Sequence, residues 1–292
     1  MTAMLNVRAP AAAAAVRDFE DFRLGQRFEG GERVVTADDV AAFTAVSGDR
    51  HPLHTDPAYA VTQGFEKTLV QGPFALAGFF GWWFELDLAS KSVVALLDTN
   101  WRYLAPIHVG DRLRYEMTIT RCQRASAGDR GVVGRAMRVL NQADVVTQEG
   151  STAVLVRART SSSFIGQELM TRPWAERIAA RLNDDEAFRS ATATWDGTIG
   201  VAGERDETQF RIYRGRVLEA GVRAPNGPTF TVMASDRTWA ELVSGSENDF
   251  MRRAMQGAFS VRGAAYEYLR LTRAINLMVD AARAEFETGS AS

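Results

Sequence analysis

Between Gly72 and Leu88 the chain reads GPFALAGFFGWWFELDL, an apolar run with no polar face. A segment that is hydrophobic on nearly all sides belongs in a core rather than on a surface. The run is too short to cross a bilayer and carries Glu85 and Asp87 near its end, so the rest of the chain has to cover it. Gly78 and Gly81 leave room along it for close packing against a sheet. The covering material follows directly, as four strand-like runs at 92–104, 111–124, 131–140 and 145–157. The second and fourth alternate most clearly, through Leu113, Tyr115, Met117 and Ile119 and through Ala153 and Leu155, as half-buried antiparallel strands do. A turn at Val109-Gly110-Asp111 separates the first two. One buried helix and a run of long antiparallel strands predict an α+β layer, a sheet wrapped around a helix.

Upstream, residues 27–35 read as a strand, and Thr36 with Asp39 forms a capping-box start for a helix carrying Val40 and Phe43 on one face. Ser47-Gly48-Asp49 stops that helix. The loop that follows lies in the stretch FTAVSGDRHPLHTDPAYA, residues 43–60, and holds two of the three histidines in the chain. Asp49, His51, His54 and Asp56 stand within eight positions, flanked by Gly48, Pro52 and Pro57. A carboxylate beside an imidazole is the minimum equipment for general acid–base work. From spacing alone, Asp49 fits equally a turn cap and His54 a hydrogen-bonded loop histidine. A metal site would need three or more converging ligands, and no HExxH-type helical pairing accompanies the cluster. Asp56-Pro57 predicts the opening of a short second helix. His108, in a strand-connecting turn, is read as structural.

Composition narrows the classes. A net charge of −2 over 292 residues shows no bias towards nucleic acid or an anionic membrane. The single cysteine, Cys122, excludes an internal disulfide framework and lacks the partners of a zinc module. It sits in an alternating stretch and reads as a small core residue in a reducing, cytoplasmic setting. Residues 1–17 are alanine-rich, and Arg8 and Pro10 interrupt any apolar core a secretory signal would need, so they read as a disordered lead-in. The expectation is a soluble protein without integral membrane association.

Residues 18–158 resemble the MaoC-like, R-specific (type-2) enoyl-CoA hydratase family of the hot-dog fold. The resemblance rests on SGDRHPLHTDPAYA, on Val70-Gln71-Gly72-Pro73 leading into the apolar helix, and on WRYLAPIHVGDRL at 101–113. It implies a single hot-dog domain over 18–160, a homodimer, an acyl-CoA or acyl-thioester substrate, and no metal or organic cofactor. It further implies that Asp49 and His54 are the catalytic acid–base pair. Gly72 would lend its backbone N–H to an oxyanion hole, with His51 and Gln71 binding or orienting the substrate. The chain departs from the family pattern at two of these positions, with His51 where the family carries asparagine and Gln71 where it often carries histidine. Trp82 and Trp83 are read as core, with one of them open to lining an acyl tunnel. Arg102 is left between a surface charge and a contact to CoA phosphates.

After the polar break Thr160-Ser161-Ser162-Ser163 the pattern changes. A helix is predicted over 173–183, with Trp174, Ile178 and Leu182 four apart, and a strand over 195–201. A hairpin turns at Arg214-Gly215, another strand holds Phe230 and Val232, and Ser235/Asp236 caps a helix that ends at Gly245. Met251 and Met255 share a face of a short helix, and Phe259-Ser260-Val261 forms a strand. One last amphipathic helix runs through Tyr268, Leu271, Ile275, Met278, Ala282 and Phe286. Through WDGTIGV, FRIYRGRV, PTFTVMASDRTWAELVSG and AFSVRGAAYEYLRL, this half resembles the sterol carrier protein type-2-like domain, implying a C-terminal α+β domain over 161–292 with an apolar tunnel for an acyl or lipid ligand. A dimerisation or docking module remains the alternative for it. A hydratase domain followed by a carrier-like domain resembles the order in peroxisomal multifunctional β-oxidation proteins, here without a glycine-rich dinucleotide fingerprint. For the whole chain the expected activity is interconversion of trans-2-enoyl and (3R)-3-hydroxyacyl thioesters. A non-catalytic acyl-CoA or lipid binding protein, and a dehydratase for carrier-protein-bound intermediates, stand as alternatives.

Overall fold

The apolar run forms helix α4, Pro73–Glu85, and it lies against an antiparallel sheet. The computed structural model describes residues 18–88, 91–159, 168–223 and 227–290. The expected lead-in over 1–17 and the break at Thr160–Ser163 lie outside them. By backbone proximity the described residues divide into two units, one within 18–22, 26–118 and 129–159 and the other within 23–25, 119–128 and 168–290.

In the first unit, strand β1 is Arg27–Val34, and Thr36 then caps helix α1, Ala37–Ser47, in a reciprocal capping box with Asp39. The one-turn helix α2, Pro52–Thr55, and α3, Pro57–Thr62, precede α4. Strands β2, Val93–Tyr103, β3, Arg112–Arg124, β4, Arg130–Leu140, and β5, Val146–Arg157, complete a five-stranded sheet in the order β1-β3-β4-β5-β2. The pairings β1–β3, β4–β5 and β2–β5 are antiparallel. This is the sheet-and-central-helix arrangement of the hot-dog fold.

Aromatic contacts fix α4 on the sheet. Trp82 stacks on Tyr115 of β3 with ring centroids 5.7 Å apart, and Phe79 meets the same tyrosine edge-on at 6.3 Å. A Cβ on Gly78 would lie 2.2 Å from Tyr115 Oη, so the close approach expected at this glycine is real. Gly81 is different. A Cβ there would meet nothing within 4 Å, because that face of the helix borders open space. The other unexpected feature is Arg135 of β4, fully buried in the same inward-facing row as Val133, Met137 and Val139.

The second unit is also α+β, with some helix boundaries that differ from expectation. Helix α5, Arg172–Asp184, is followed by α6, Glu186–Ala191, a one-and-a-half-turn element that the periodicity did not reveal. Strands β6, Asp196–Ala202, β7, Glu207–Tyr213, β8, Arg216–Gly221, and β9, Phe230–Met233, come next. Helices α7, Asp236–Ser244, and α8, Phe250–Met255, lead to strand β10, Ser260–Gly263. The sheet order is β10-β9-β6-β7-β8, with β6 and β9 parallel. The final helix is two helices, α9, Ala265–Arg270, and α10, Thr272–Ser290. At the break, Leu271 keeps its hydrogen bond to the Glu267 carbonyl and adds one to Tyr268, tightening the turn. Buried Glu285 on α10 receives Arg181 Nε at 2.8 Å and Arg177 Nε, tying α10 to α5. Arg283 donates to the Leu242 and Gly245 carbonyls at 2.7 and 2.8 Å, completing the C-terminus of α7.

Candidate active site

Gly48 ends α1 in the left-handed conformation, with φ +74°. A Cβ there would meet nothing within 4 Å, so backbone conformation and not crowding is what favours glycine. Past this turn the Asp49 N–H donates to Ser47 Oγ at 3.2 Å, while Asp49 Oδ1 accepts the His51 N–H at 3.2 Å. One carboxylate oxygen is thus committed to shaping the loop. The other, Oδ2, stands 3.5 Å from His54 Nε2.

His54 rides on α2. Pro52 opens that turn, and His51 caps it through Nδ1, which accepts the Leu53 N–H at 3.3 Å. Behind the His54 ring, Nδ1 lies 2.9 Å from the Leu69 carbonyl oxygen. A carbonyl can only accept, so the proton in that bond belongs to Nδ1, and the neutral ring keeps its free lone pair on Nε2. That lone pair faces Asp49. The His54 side chain is 14% exposed and that of Asp49 44%, so a fixed ring meets a carboxylate that solvent can reach. A separation of 3.5 Å is at the limit of a direct hydrogen bond, and each atom keeps a lone pair able to accept from water.

The Leu69 segment is itself held in place. Leu69 N–H donates to the Leu53 carbonyl at 2.9 Å and Val70 N–H to that of Ile107 at 2.8 Å. His108 Nδ1 meets the Thr68 carbonyl at 3.0 Å, and its N–H donates to Asp111 Oδ2 at 2.8 Å, the structural part read from sequence. Next along the chain, Gln71 is buried and donates from Nε2 to Thr44 Oγ1 at 2.6 Å and to the Asp49 carbonyl at 3.5 Å. It therefore joins the end of α1 and the backbone of Asp49 to the start of α4. Gly72 is the N-cap of α4, and its carbonyl accepts Gln148 Nε2 at 3.1 Å. Its own N–H has no partner among the described residues. A free N–H at the head of a helix is a ready donor to a developing oxyanion. A Cβ at Gly72 would come within 2.9 Å of the Tyr103 ring, so a side chain there would have to displace that ring.

The remaining clustered residues are otherwise engaged. Asp56 Oδ1 accepts the Ala58 and Tyr59 N–H groups at 2.9 and 3.2 Å, capping α3. Among the described residues no three His, Cys, Asp or Glu side chains converge as metal ligands. Cys122 is buried, and burial pushes its thiol pKa up, away from the reactive thiolate. Exposed Arg102 pairs with Glu149 of β5. A cleft of about 810 Å³ lies between β1, α1 and α4, bordered by Phe43, Phe74, Trp82 and Tyr115 and by the charged Glu32, Arg33, Asp39 and Glu85. Sequence reading did not find it; its one signal was Gly81, a small residue facing away from the sheet.

The loop thus brings two proton acceptors, Asp49 Oδ2 and His54 Nε2, face to face, and Gln71 joins it to the start of α4. Comparison with known proteins gives the family. Residues 21–139 match the model of the MaoC like domain. The (R)-specific enoyl-CoA hydratase of Aeromonas caviae is 32% identical over 132 residues, covering 45% of this chain and 89% of that one. The chain belongs to the MaoC-like family. Peroxisomal multifunctional enzyme type 2 of Mus musculus is 25% identical over 238 residues, 79% of this chain but 31% of that protein's length. A solved structure of sterol carrier protein 2 covers 40% of the chain and 98% of its own, at 24% identity and a TM-score of 0.36. No described helix is long and apolar enough to cross a membrane.

Proposed function

We propose that the first unit is a hydro-lyase that interconverts trans-2-enoyl and (3R)-3-hydroxyacyl thioesters of coenzyme A, with Asp49 and His54 as its acid–base pair. The observation that carries this reading is the 3.5 Å approach of Asp49 Oδ2 to a His54 ring whose other nitrogen is committed to the Leu69 carbonyl. Its substrate class is supported by the Aeromonas relative, an (R)-specific enoyl-CoA hydratase.

In the hydration direction, a water held between Oδ2 and Nε2 attacks C3 of the enoyl group. One of its protons passes to the pair as the C3–O bond forms and the C2–C3 double bond opens. Charge then gathers on the thioester oxygen, where the Gly72 N–H donates to it. The pair returns a proton to C2, closing the cycle with no net change in the enzyme. The reverse sequence removes water. His51 and Gln71 hold the loop in shape through the bonds described above.

The working unit in this reading is a homodimer. Among the described residues strand β2 pairs only with β5, and along it Val93, Val94, Leu96, Leu97 and Tyr103 are exposed. An open apolar edge of this length is what a second copy would cover. The second unit serves as an acyl- or lipid-binding module, supported by an alignment to the mouse multifunctional enzyme that runs across both halves of the chain.

The test is turnover of crotonyl-CoA and of a longer trans-2-enoyl-CoA, followed by loss of enoyl absorbance. Asp49→Asn and His54→Ala should each lower kcat by about 100-fold or more, the usual contribution of a positioned acid or base. Full activity in either folded variant would overturn the assignment of the pair. Lack of turnover by the wild type on both substrates would favour a binding protein instead.

A further inference from the structure

Two hydrogen bonds run from the sheet to the head of α4. Trp101 Nε1 of β2 donates to Gln148 Oε1 of β5 at 2.8 Å, and Gln148 Nε2 donates to the Gly72 carbonyl at 3.1 Å. An indole N–H only donates and a carbonyl only accepts, so the two partners dictate which end of the glutamine amide faces which. Gln148 is 3% exposed, and its backbone is paired on both sides, with Tyr103 of β2 and Val139 of β4. The indole is seated as closely. A Cβ on Gly150 would lie 2.6 Å from the Trp101 ring, so the absence of a side chain there is what admits it.

The bond to Gly72 does more than satisfy a carbonyl. An N-cap carbonyl ordinarily accepts the first bond of its own helix, so the glutamine takes a second lone pair, and its loss would leave no orphan behind. An apolar side chain would fill the same space without the cost of burying an amide. What the bond supplies is direction. Gly72 has φ −50° and ψ −51°, with no Cβ to restrict either angle, and it joins two peptide planes. The plane before it carries the Gly72 N–H, and the carbonyl of that plane, Gln71 O, accepts the Phe74 N–H at 3.0 Å. The plane after it is the one Gln148 grips. With both planes tied, the Gly72 N–H keeps one bearing.

We propose that Gln148 is a positioning residue for the hydro-lyase reaction: through the Gly72 carbonyl it fixes the direction in which the Gly72 N–H meets the thioester oxygen, and Trp101 fixes Gln148 in turn. The proposal rests on the reading of Gly72 as the oxyanion donor. Gln148 touches no reacting atom. Its contribution is preorganisation, since a donor already aimed at the developing charge needs no rearrangement when that charge appears.

Gln148→Glu tests this with a near-isosteric change. The ionised carboxylate still accepts from Trp101 but sets an oxygen against the Gly72 carbonyl, whereas the protonated carboxyl donates there again. Relative to the wild type at the same pH, kcat should be down by about tenfold near neutrality, with KM little changed, and should recover as the pH falls through the carboxyl range. Gln148→Met, of similar length and never charged, should show a similar loss with no recovery, and serves if the glutamate variant does not fold. A kcat equal to that of the wild type in either folded variant, or a Gln148→Glu deficit that pH leaves unaltered, would overturn the proposal. A second readout needs no turnover. Butyryl-CoA, which has no double bond to hydrate, should shift the Gly72 amide proton signal in the wild type and shift it less in Gln148→Met. Equal shifts in the two would overturn the role of Gln148 alone. No shift in the wild type would overturn the reading of Gly72, and this proposal with it.

Discussion

At the scale of single residues, the loop is an economy of small commitments. Asp49 gives Oδ1 to the His51 N–H and keeps Oδ2 for His54, while His54 gives Nδ1 to Leu69 and keeps Nε2. Gly72 and Gly78 are both constrained by aromatic neighbours, yet they differ in consequence. Gly78→Ala would drive a methyl group to 2.2 Å from Tyr115 Oη in the core, and should cost about 1–3 kcal/mol, measurable by chemical denaturation. Gly72→Ala would press on the Tyr103 ring, which is exposed and can move, so stability should change less while kcat falls if the Gly72 N–H serves the thioester oxygen. Comparing the two variants by denaturation and by turnover distinguishes a packing glycine from a site glycine. The sequence placed Asp49 and His54 in one loop between helix-breaking signals, but their pairing came from the family resemblance, since spacing alone fits a turn cap and a loop histidine equally. The burial of Arg135 was not legible, since an arginine in an alternating strand is normally assigned to the solvent face, and only its place in the row of Val133, Met137 and Val139 indicated otherwise.

At the scale of elements, the capping box of α1 bears directly on the site, because α1 delivers Asp49. The Asp39 carboxylate is held below the ordinary aspartate pKa of 3.8, first by the Thr36 backbone N–H and further by the Thr36 hydroxyl and Arg33. A lowered folded-state value means that the unfolded chain binds the proton more tightly. The contribution is therefore present above pH ~3.8 and is lost as pH falls through the lower folded value. Asp39→Asn should give a flatter fall in stability across that acid range than the wild type, read from melting temperature against pH. Thr36→Ala should cost about 1 kcal/mol by denaturation through the lost cap. The signals for α1, α4 and the four long strands were plain in sequence, since each has several turns or alternations to repeat. Helices α2 and α6 are four and six residues long, too short for a period to register, although their caps His51 and Asp185 are readable afterwards. The break at Leu271 lies inside an unbroken apolar stripe, with no glycine or proline to mark it.

At the scale of the whole molecule, the exposed apolar edge of β2 makes a separate prediction. Leu97→Lys should shift the protein from dimer to monomer in sedimentation equilibrium, and its activity should fall in step with the monomer fraction if the site needs the second copy. The second unit raises a different consequence. Its core holds an apolar cavity of about 30 Å³ walled by Trp174, Ile178, Phe210, Trp239, Ile275 and Met278. That is room for roughly one water molecule. A guest the size of a fatty acyl chain would have to wait for these walls to part, so its uptake would be gated by the protein's own breathing. In stopped-flow mixing, the observed rate would level off as ligand concentration rises, at a ceiling set by how often the core opens.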